Sequence, residues 1–509
     1  MLASLLLVGY ARGYIHSKLN SDSKRERPSS RSVYIGIGRD ASSKYTDGFN
    51  MKYREENIVG VLFGTDGVRG VANVELSPEM AFKLGRAGSY MLAKSTASSR
   101  PRILVGKDTR ISGDMLEAAL IAGICSTGAD VLTVGVIPTP AVAYLTQKYE
   151  ASCGIVISAS HNPVQDNGIK FFGSSGYKLP DELETEIEDL VHKGTEDLTR
   201  PQGEEVGRVY DVAQAVDSYL DYLISCFTLE GSLSDITIVV DCANGAAFAV
   251  GPQMWRRLGA RVIAINDKPN GLNINDKCGS TYTESLKKTI IQYKADIGIA
   301  YDGDADRCIA IDECGNELDG DHILLICAQD MISRAQLNPP LVVATVMSNI
   351  GLDIALRREN IAVQSCKVGD RYVLEKMKET GALLGGEQSG HIIFSQFATT
   401  GDGLLTSLKL VEFMKRSGLA LSELARGLEK QPQMLVNVRM DNKEEILSRP
   451  LVQLALKRAE EKLGDCGKLV VRPSGTEPLV RIMAQGPEQY LLEEVIDDIK
   501  QAVETAQQL

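Results

Sequence analysis

The sequence predicts an α/β protein made of three related βαβ-type mixed-sheet domains followed by a C-terminal α+β domain. The first observation is a strand–helix–strand pattern that returns three times. Residues 102–105 form an apolar strand, 113–127 set Leu116, Ala119, Leu120 and Ile124 on one helical stripe, and 128–135 supply a turn and a second strand. The same order returns over 236–265 and again over 341–363. Strands alternating with helices predict parallel pairing with crossover helices, and threefold recurrence points to related units. The second observation is that 432–509 ends in an amphipathic helix from Tyr490 onward and reads as a small α+β domain. The third is length, since 509 residues suit three to four domains.

In chain order, residues 1–10 are apolar but too short to span a bilayer, and no basic residue precedes them as in a signal peptide. Residues 17–50 are rich in Ser, Lys, Arg, Asp and Gly, a composition that predicts disorder. Residues 1–50 are therefore read as a disordered, dispensable N-terminal extension, with Met51 as an alternative start. A polar stretch at 192–216, the turn Cys314-Gly315-Asn316 and residues 427–432 mark boundaries, which gives domains at 51–215, 216–313, 314–430 and 431–509. An acidic amphipathic helix over 182–191 reads as a surface face.

Composition restricts the function. A formal charge of −12 argues against nucleic acid or an anionic membrane as a main partner, while leaving room for small phosphorylated ligands in a locally basic pocket. Ten scattered cysteines without a C-x-x-C pair support neither a disulfide framework nor a structural zinc. Cys125 and Cys242 lie in apolar runs and read as core thiols. A reducing, cytoplasmic setting fits this usage.

Several short stretches carry the chemistry. In 154–163 an apolar strand runs into the polar turn Ala159-Ser160-His161-Asn162, closed by Pro163, which places Ser160 at a strand end. The glycine frame of a nucleophile elbow is missing there, and no His/Asp order supports a hydrolase triad. Asp302-Gly303-Asp304-Ala305-Asp306-Arg307 sets three carboxylates at alternate positions after an apolar run, the clustered oxygens that a hard divalent cation requires. Gly385-Gly386-Glu387-Gln388-Ser389-Gly390-His391 combines small residues with hydrogen-bonding side chains and suits a polyol. Arg472-Pro473-Ser474-Gly475-Thr476-Glu477-Pro478 offers charge, hydroxyls and N–H groups in one tight turn, an anion cradle. Phe63-Gly64-Thr65-Asp66-Gly67-Val68-Arg69-Gly70 lets backbone approach a ligand and presents Arg69 to a phosphate. Lys170, on the strand after the serine loop, reads as a proton shuttle, a phosphate contact or a solvated lysine.

Taken together, and in this order, the Ser158-Ala159-Ser160-His161-Asn162-Pro163, Asp302–Arg307, Gly386–His391 and Arg472–Pro478 stretches resemble the α-D-phosphohexomutase superfamily, over 61–509. Within it, residues 63–70, 106–113 and 398–403 are similar to the phosphoglucosamine mutase branch, and Ser158 and Gln388 stand where phosphomannomutase/phosphoglucomutase relatives carry Thr and Met. The resemblance implies four domains around a central cleft. It implies interconversion of glucosamine 6-phosphate and glucosamine 1-phosphate, toward UDP-N-acetylglucosamine, through a phosphoserine at Ser160. It further implies one Mg²⁺ held by Asp302, Asp304, Asp306 and an oxygen of phosphorylated Ser160, and a glucosamine 1,6-bisphosphate as intermediate and activator. Arg307 and Arg69 would steady the phosphoryl group beside His161, with Lys170 or His391 as the base. Glu387, Ser389 and His391 would read the sugar, while Arg472, Ser474, Gly475 and Thr476 would hold the remote phosphate. The alternatives are a phosphoglucomutase or phosphomannomutase of the same superfamily, a phosphate-releasing hydrolase, and a non-catalytic sugar-phosphate-binding protein.

Overall fold

The computed structural model describes residues 62–64, 66–94, 100–440, 442–473 and 478–508. The expected extension over 1–50 lies outside the described residues, as do Ser474, Gly475 and Thr476 of the expected anion cradle. Residues 60–509 form one compact unit containing four sheets.

Strands β1 (Val68–Val71), β2 (Arg102–Lys107), β3 (Asp130–Val136), β4 (Cys153–Ile157), β5 (Asp166–Gly173) and β6 (Val209–Asp211) build the first sheet, in the order β1-β5-β4-β2-β3-β6. The second holds β7 (Thr237–Asp241), β8 (Arg261–Ile265), β9 (Ile297–Tyr301), β10 (Cys308–Asp312) and β11 (Glu317–Leu318), in the order β11-β10-β9-β7-β8. The third holds β12 (Leu341–Thr345), β13 (Ala362–Cys366), β14 (Leu384–Gly386) and β15 (Ile392–Phe394), in the order β13-β12-β14-β15. In the fourth, β16 (Gln433–Arg439), β17 (Lys468–Pro473) and β18 (Leu479–Gln485) pair antiparallel in the order β16-β18-β17.

The first three sheets share one kernel: β3-β2-β4-β5, β8-β7-β9-β10 and β13-β12-β14-β15. Each has three parallel strands and an antiparallel fourth. Crossover helices join the parallel strands, for example Ser112–Cys125, Ala247–Arg257 and Ile350–Arg358. The central strands β4, β9 and β12 are buried at every position, as their unbroken apolar runs demand when both faces of a sheet are covered. Strand β16 instead alternates exposed positions with half-buried or buried ones, the mark of a sheet with one wet face. The three kernels share one connected hydrophobic core, and the fourth sheet has a core of its own with the helix Gln489–Gln508.

The kernel explains where the motifs go. The link from third to fourth strand is a short loop in every repeat, and these loops carry Ser160, the three aspartates and Glu387 to His391 respectively.

Some local expectations change. The polar stretch 192–216 contains β6, which pairs parallel with β3, and β11 lies beyond the Cys314 turn yet still pairs with β10. The acidic helix, Asp181–Lys193, is not simply a surface face. Its Glu184 is 6% exposed and accepts from Arg371 of the third repeat at 2.8 Å, because the helix docks there rather than facing only water. Cys242 is a core thiol, Cys125 is half-buried, and all ten cysteines are free.

Candidate active site

Ser160 sits on the β4–β5 loop with a left-handed backbone, φ 52°. An L-residue reaches that region only when its surroundings impose it, and such positions gather at functional sites. The surroundings here are a buried brace. The Arg110 guanidinium donates to the carbonyls of Ser160 (3.0 Å), Asn162 (2.8 Å) and Asp166 (3.0 Å), and also to that of Pro163. Asp108 holds Arg110 from the other side at 2.9 Å, and both side chains are fully buried. Ser158 completes the brace, donating to Asp108 at 2.7 Å while its oxygen accepts the Ser160 N–H at 2.9 Å. Asn275 from the second repeat donates to the Ser160 carbonyl at 2.8 Å.

The β9–β10 loop presses against this turn. A Cβ at Gly303 would lie 2.5 Å from the Ser160 carbonyl oxygen, so only glycine permits the approach. Backbone N–H groups of Thr139, Ala246 and Gly403 donate to the carbonyls of Asp304, Gly303 and Ala305 at 2.9, 2.8 and 3.0 Å. All three repeats therefore hold the aspartate loop.

Asp302, Asp304 and Asp306 are all buried, with one oxygen of each within 4.8 Å of the others. Asp302 accepts the Ser160 hydroxyl at 2.6 Å and the Arg307 N–H at 3.1 Å. Asp304 Oδ2 accepts from Thr139 Oγ1 at 2.7 Å and Lys170 Nζ at 2.8 Å. The second oxygens of Asp304 and Asp306 are buried without a hydrogen-bond partner. Such atoms carry a desolvation cost that a divalent cation removes, so this donor set fits Mg²⁺, which prefers a few carboxylates together with water and phosphate oxygens. Burial, with Asp306 and Asp304 close by, pushes the Asp302 carboxyl well above its usual range.

Lys170 is not a solvated lysine. It is 2% exposed and lies 2.8 Å from Asp304 and 2.9 Å from Asp66. Burial favours its neutral form, but Asp304 and Asp66 outweigh that and raise its pKa, so it keeps its proton. Asp66 collects three cations, Lys170, Lys178 and Arg69. Burial would raise its carboxyl, and those cations instead hold it well below the usual range. Arg69, expected to face a phosphate, is paired with Asp66 in this state.

His161 Nδ1 is 3.3 Å from Ser160 Oγ, and burial together with Arg307 and Arg69 lowers the ring to about 4, leaving it neutral. His391 lies between Asp306 (3.5 Å) and Asp370 (4.0 Å). Burial opposes a charge on it, while Asp306 and Asp370 favour one and push it up to about 9. Its Nε2, however, accepts the Gly401 N–H at 3.0 Å. That bond requires a lone pair, since a second proton on Nε2 would face the Gly401 N–H, and it decides for the neutral tautomer with its proton on Nδ1.

Glu387 is half-buried and accepts the Gly369 N–H at 3.1 Å; Ser389 is exposed at the loop surface. Arg472 lies on β17 directly opposite Arg481 on β18. Ser160, His161, Lys170, Arg307, His391 and the three aspartates thus come together, while Arg472 stands on the fourth sheet. The sequence reading gave no role to Asp66, Asp108, Arg110, Thr139, Asn275 or Asp370. The Asp-x-Arg after the buried strand β2 was a signal for Asp108 and Arg110; nothing in the spacing pointed to the others.

The architecture and loops are those of a phosphohexomutase, and comparison with known proteins agrees. Profiles for the alpha/beta/alpha domains I, II and III and the C-terminal domain of phosphoglucomutase/phosphomannomutase match residues 60–198, 217–315, 319–431 and 435–502. The chain belongs to the phosphoglucomutase/phosphomannomutase family. Over 449 residues it is 77% identical to the phosphoglucosamine mutase of Syntrophomonas wolfei, covering 88% of this chain and 100% of that protein. Among solved structures it resembles a phosphoglucomutase/phosphomannomutase family protein from Burkholderia thailandensis, with TM-score 0.74 and 23% identity, covering 88% of this chain and 97% of that one. It also resembles the N-acetylphosphoglucosamine mutase of Aspergillus fumigatus, solved with GlcNAc-6P and magnesium, with TM-score 0.63 and 17% identity, covering 88% and 96%. At these identities the two structures support the fold. Among the described residues no helix is long and apolar enough to cross a membrane.

Proposed function

We propose that this enzyme interconverts glucosamine 6-phosphate and glucosamine 1-phosphate, with Ser160 as the phosphoryl carrier. The observation that carries the reading is Ser160 Oγ, 2.6 Å from Asp302, at a buried carboxylate triad with two oxygens left unbonded. The 77% identity to a phosphoglucosamine mutase supports the sugar.

In the working form Ser160 Oγ carries the phosphoryl group. A hydroxyl of the bound sugar phosphate attacks phosphorus; the new O–P bond forms as the Ser160 Oγ–P bond breaks, the hydroxyl proton ends on Ser160 Oγ, and a glucosamine 1,6-bisphosphate results. After the bisphosphate turns around, Ser160 Oγ takes its other phosphoryl group. The same bisphosphate, added in trace, recharges enzyme that has lost its phosphate. Such a transfer needs in-line placement and neutralised charge on the phosphoryl oxygens. Asp302, Asp304, Asp306 and phosphorylated Ser160 would hold Mg²⁺, which supplies part of that neutralisation. Lys170, with its proton held, and Arg307 supply donors beside it. Glu387, Ser389 and His391 read the sugar in either orientation. Arg472, on the fourth sheet, would hold the remote phosphate through a charge-assisted contact.

A coupled assay with Mg²⁺ and a trace of bisphosphate tests the reading on glucosamine, glucose and mannose 6-phosphates. A preference for the amino sugar supports it. Preference for glucose or mannose 6-phosphate keeps the chemistry and overturns the substrate, and phosphate release faster than isomerisation indicates a hydrolase. Arg472→Ala should raise KM by about 10-fold or more, the weight of a charge-assisted contact, with an unchanged melting temperature. Unchanged KM would remove Arg472 from the cradle.

A further inference from the structure

We infer that Asp370 is a specificity-determining residue that binds the protonated amine of the substrate, the group that separates an amino sugar phosphate from its hydroxyl counterpart. The inference rests on the glucosamine reading above.

Asp370 opens the helix Asp370–Thr380 and lines a cavity of about 200 Å³ with Lys178, His391, Thr399 and Thr400. The cavity therefore begins at the loop that reads the sugar. Backbone ties the two together: the N–H of Gly369, one residue before Asp370, donates to Glu387 Oε1 at 3.1 Å. A single turn thus sets both Asp370 and a proposed hydroxyl reader.

The chemistry around Asp370 already suits an alkylammonium. Lys178 Nζ pairs with its Oδ2, and Oδ1 accepts the Arg371 N–H at 2.7 Å. Each carboxylate oxygen accepts two hydrogen bonds, so room remains for another N–H donor. The charged group that faces the carboxylate is Lys178 Nζ, and the neutral ring of His391 lies 4.0 Å away. The N-terminal turn of an 11-residue helix stabilises its negative charge.

The neighbouring carboxylates are otherwise engaged. Asp66 is shared by Lys170, Lys178 and Arg69, and the three loop aspartates form the cation cluster. Glu375, the other carboxylate on the cavity wall, is exposed, where an ion pair contributes little. Asp370, 15% exposed, meets an ammonium in a partly dry site, where a charged hydrogen bond discriminates well against a neutral hydroxyl.

The test is Asp370→Asn, with kcat/KM measured in parallel on glucosamine 6-phosphate and glucose 6-phosphate. The amino sugar should lose about 10- to 100-fold and glucose 6-phosphate less than about threefold. An equal loss on both, or no loss on the amino sugar, overturns the inference. A second measurement needs no variant. In the wild-type enzyme the KM for glucosamine 6-phosphate should rise as its amine loses a proton with increasing pH, relative to glucose 6-phosphate. Phosphate ionisation is common to both substrates and cancels in that ratio. A ratio flat through the amine titration overturns the inference. A wild-type enzyme that prefers glucose 6-phosphate overturns the glucosamine reading itself, and does so before Asp370 is changed.

Discussion

The serine loop between β4 and β5 and the sugar loop between β14 and β15 hold the same place in their repeats, yet they are built in opposite ways. A buried side chain shapes the serine loop: Arg110 gathers four of its carbonyls, and Ser160 is held at φ 52°. Backbone shapes the sugar loop: Gly390, at φ 92°, turns the chain and its carbonyl accepts the Cys308 N–H of the second repeat at 3.0 Å. The aspartate loop between β9 and β10 lies between these two designs, with Ala305 at φ 58° and backbone donors from its neighbours. Topology thus determines where a loop projects. Whether it may carry a strained reactive residue depends on how many groups over-determine it.

Four substitutions test that contrast. Ser160→Ala should cut turnover by at least about 1,000-fold, because the carrier oxygen is gone, while the melting curve stays in place. A variant retaining wild-type rate would end the phosphoserine assignment. Arg110→Met should cost about 3–5 kcal/mol in denaturant titration, since Asp108 is left buried without its cation. A small loss there would mean that neither the ion pair nor the carbonyl bonds of Arg110 hold the loop. Gly390→Ala should cost about 2–3 kcal/mol, because its φ is unfavourable for alanine and the new Cβ would lie 2.3 Å from the Cys308 oxygen. Ala305→Gly, at a left-handed position that glycine accepts freely, should change stability by less than about 1 kcal/mol. If Ala305→Gly cost as much as Gly390→Ala, the two loops would not differ as described.

Much of the fold was legible because its signals are local. The apolar run before the serine turn reads as a strand, and β4 is buried throughout. The third strand–helix–strand pattern is read over 341–363, and β12, the helix Ile350–Arg358 and the start of β13 fall there. The antiparallel fourth strand in each kernel was not legible as a shared feature, since β5, β10 and β15 have different lengths and flanking turns. Nor was the docking of Glu184 against Arg371, because an acidic stripe on a helix looks the same in water and at an interface.

The sequence by itself determined the repeated strand–helix order, the serine at a strand end and the three alternating aspartates. Periodicity, turn chemistry and the spacing of like residues are written within a few positions of one another. Only the tertiary structure decided how charge is distributed in the site. Lys170 meets Asp304 across 134 positions, and Lys178 meets Asp370 across 192. No spacing encodes such pairs. Burial then fixes their consequence, because a buried lysine that desolvation alone would push toward neutrality is kept charged by buried Asp304 and half-buried Asp66.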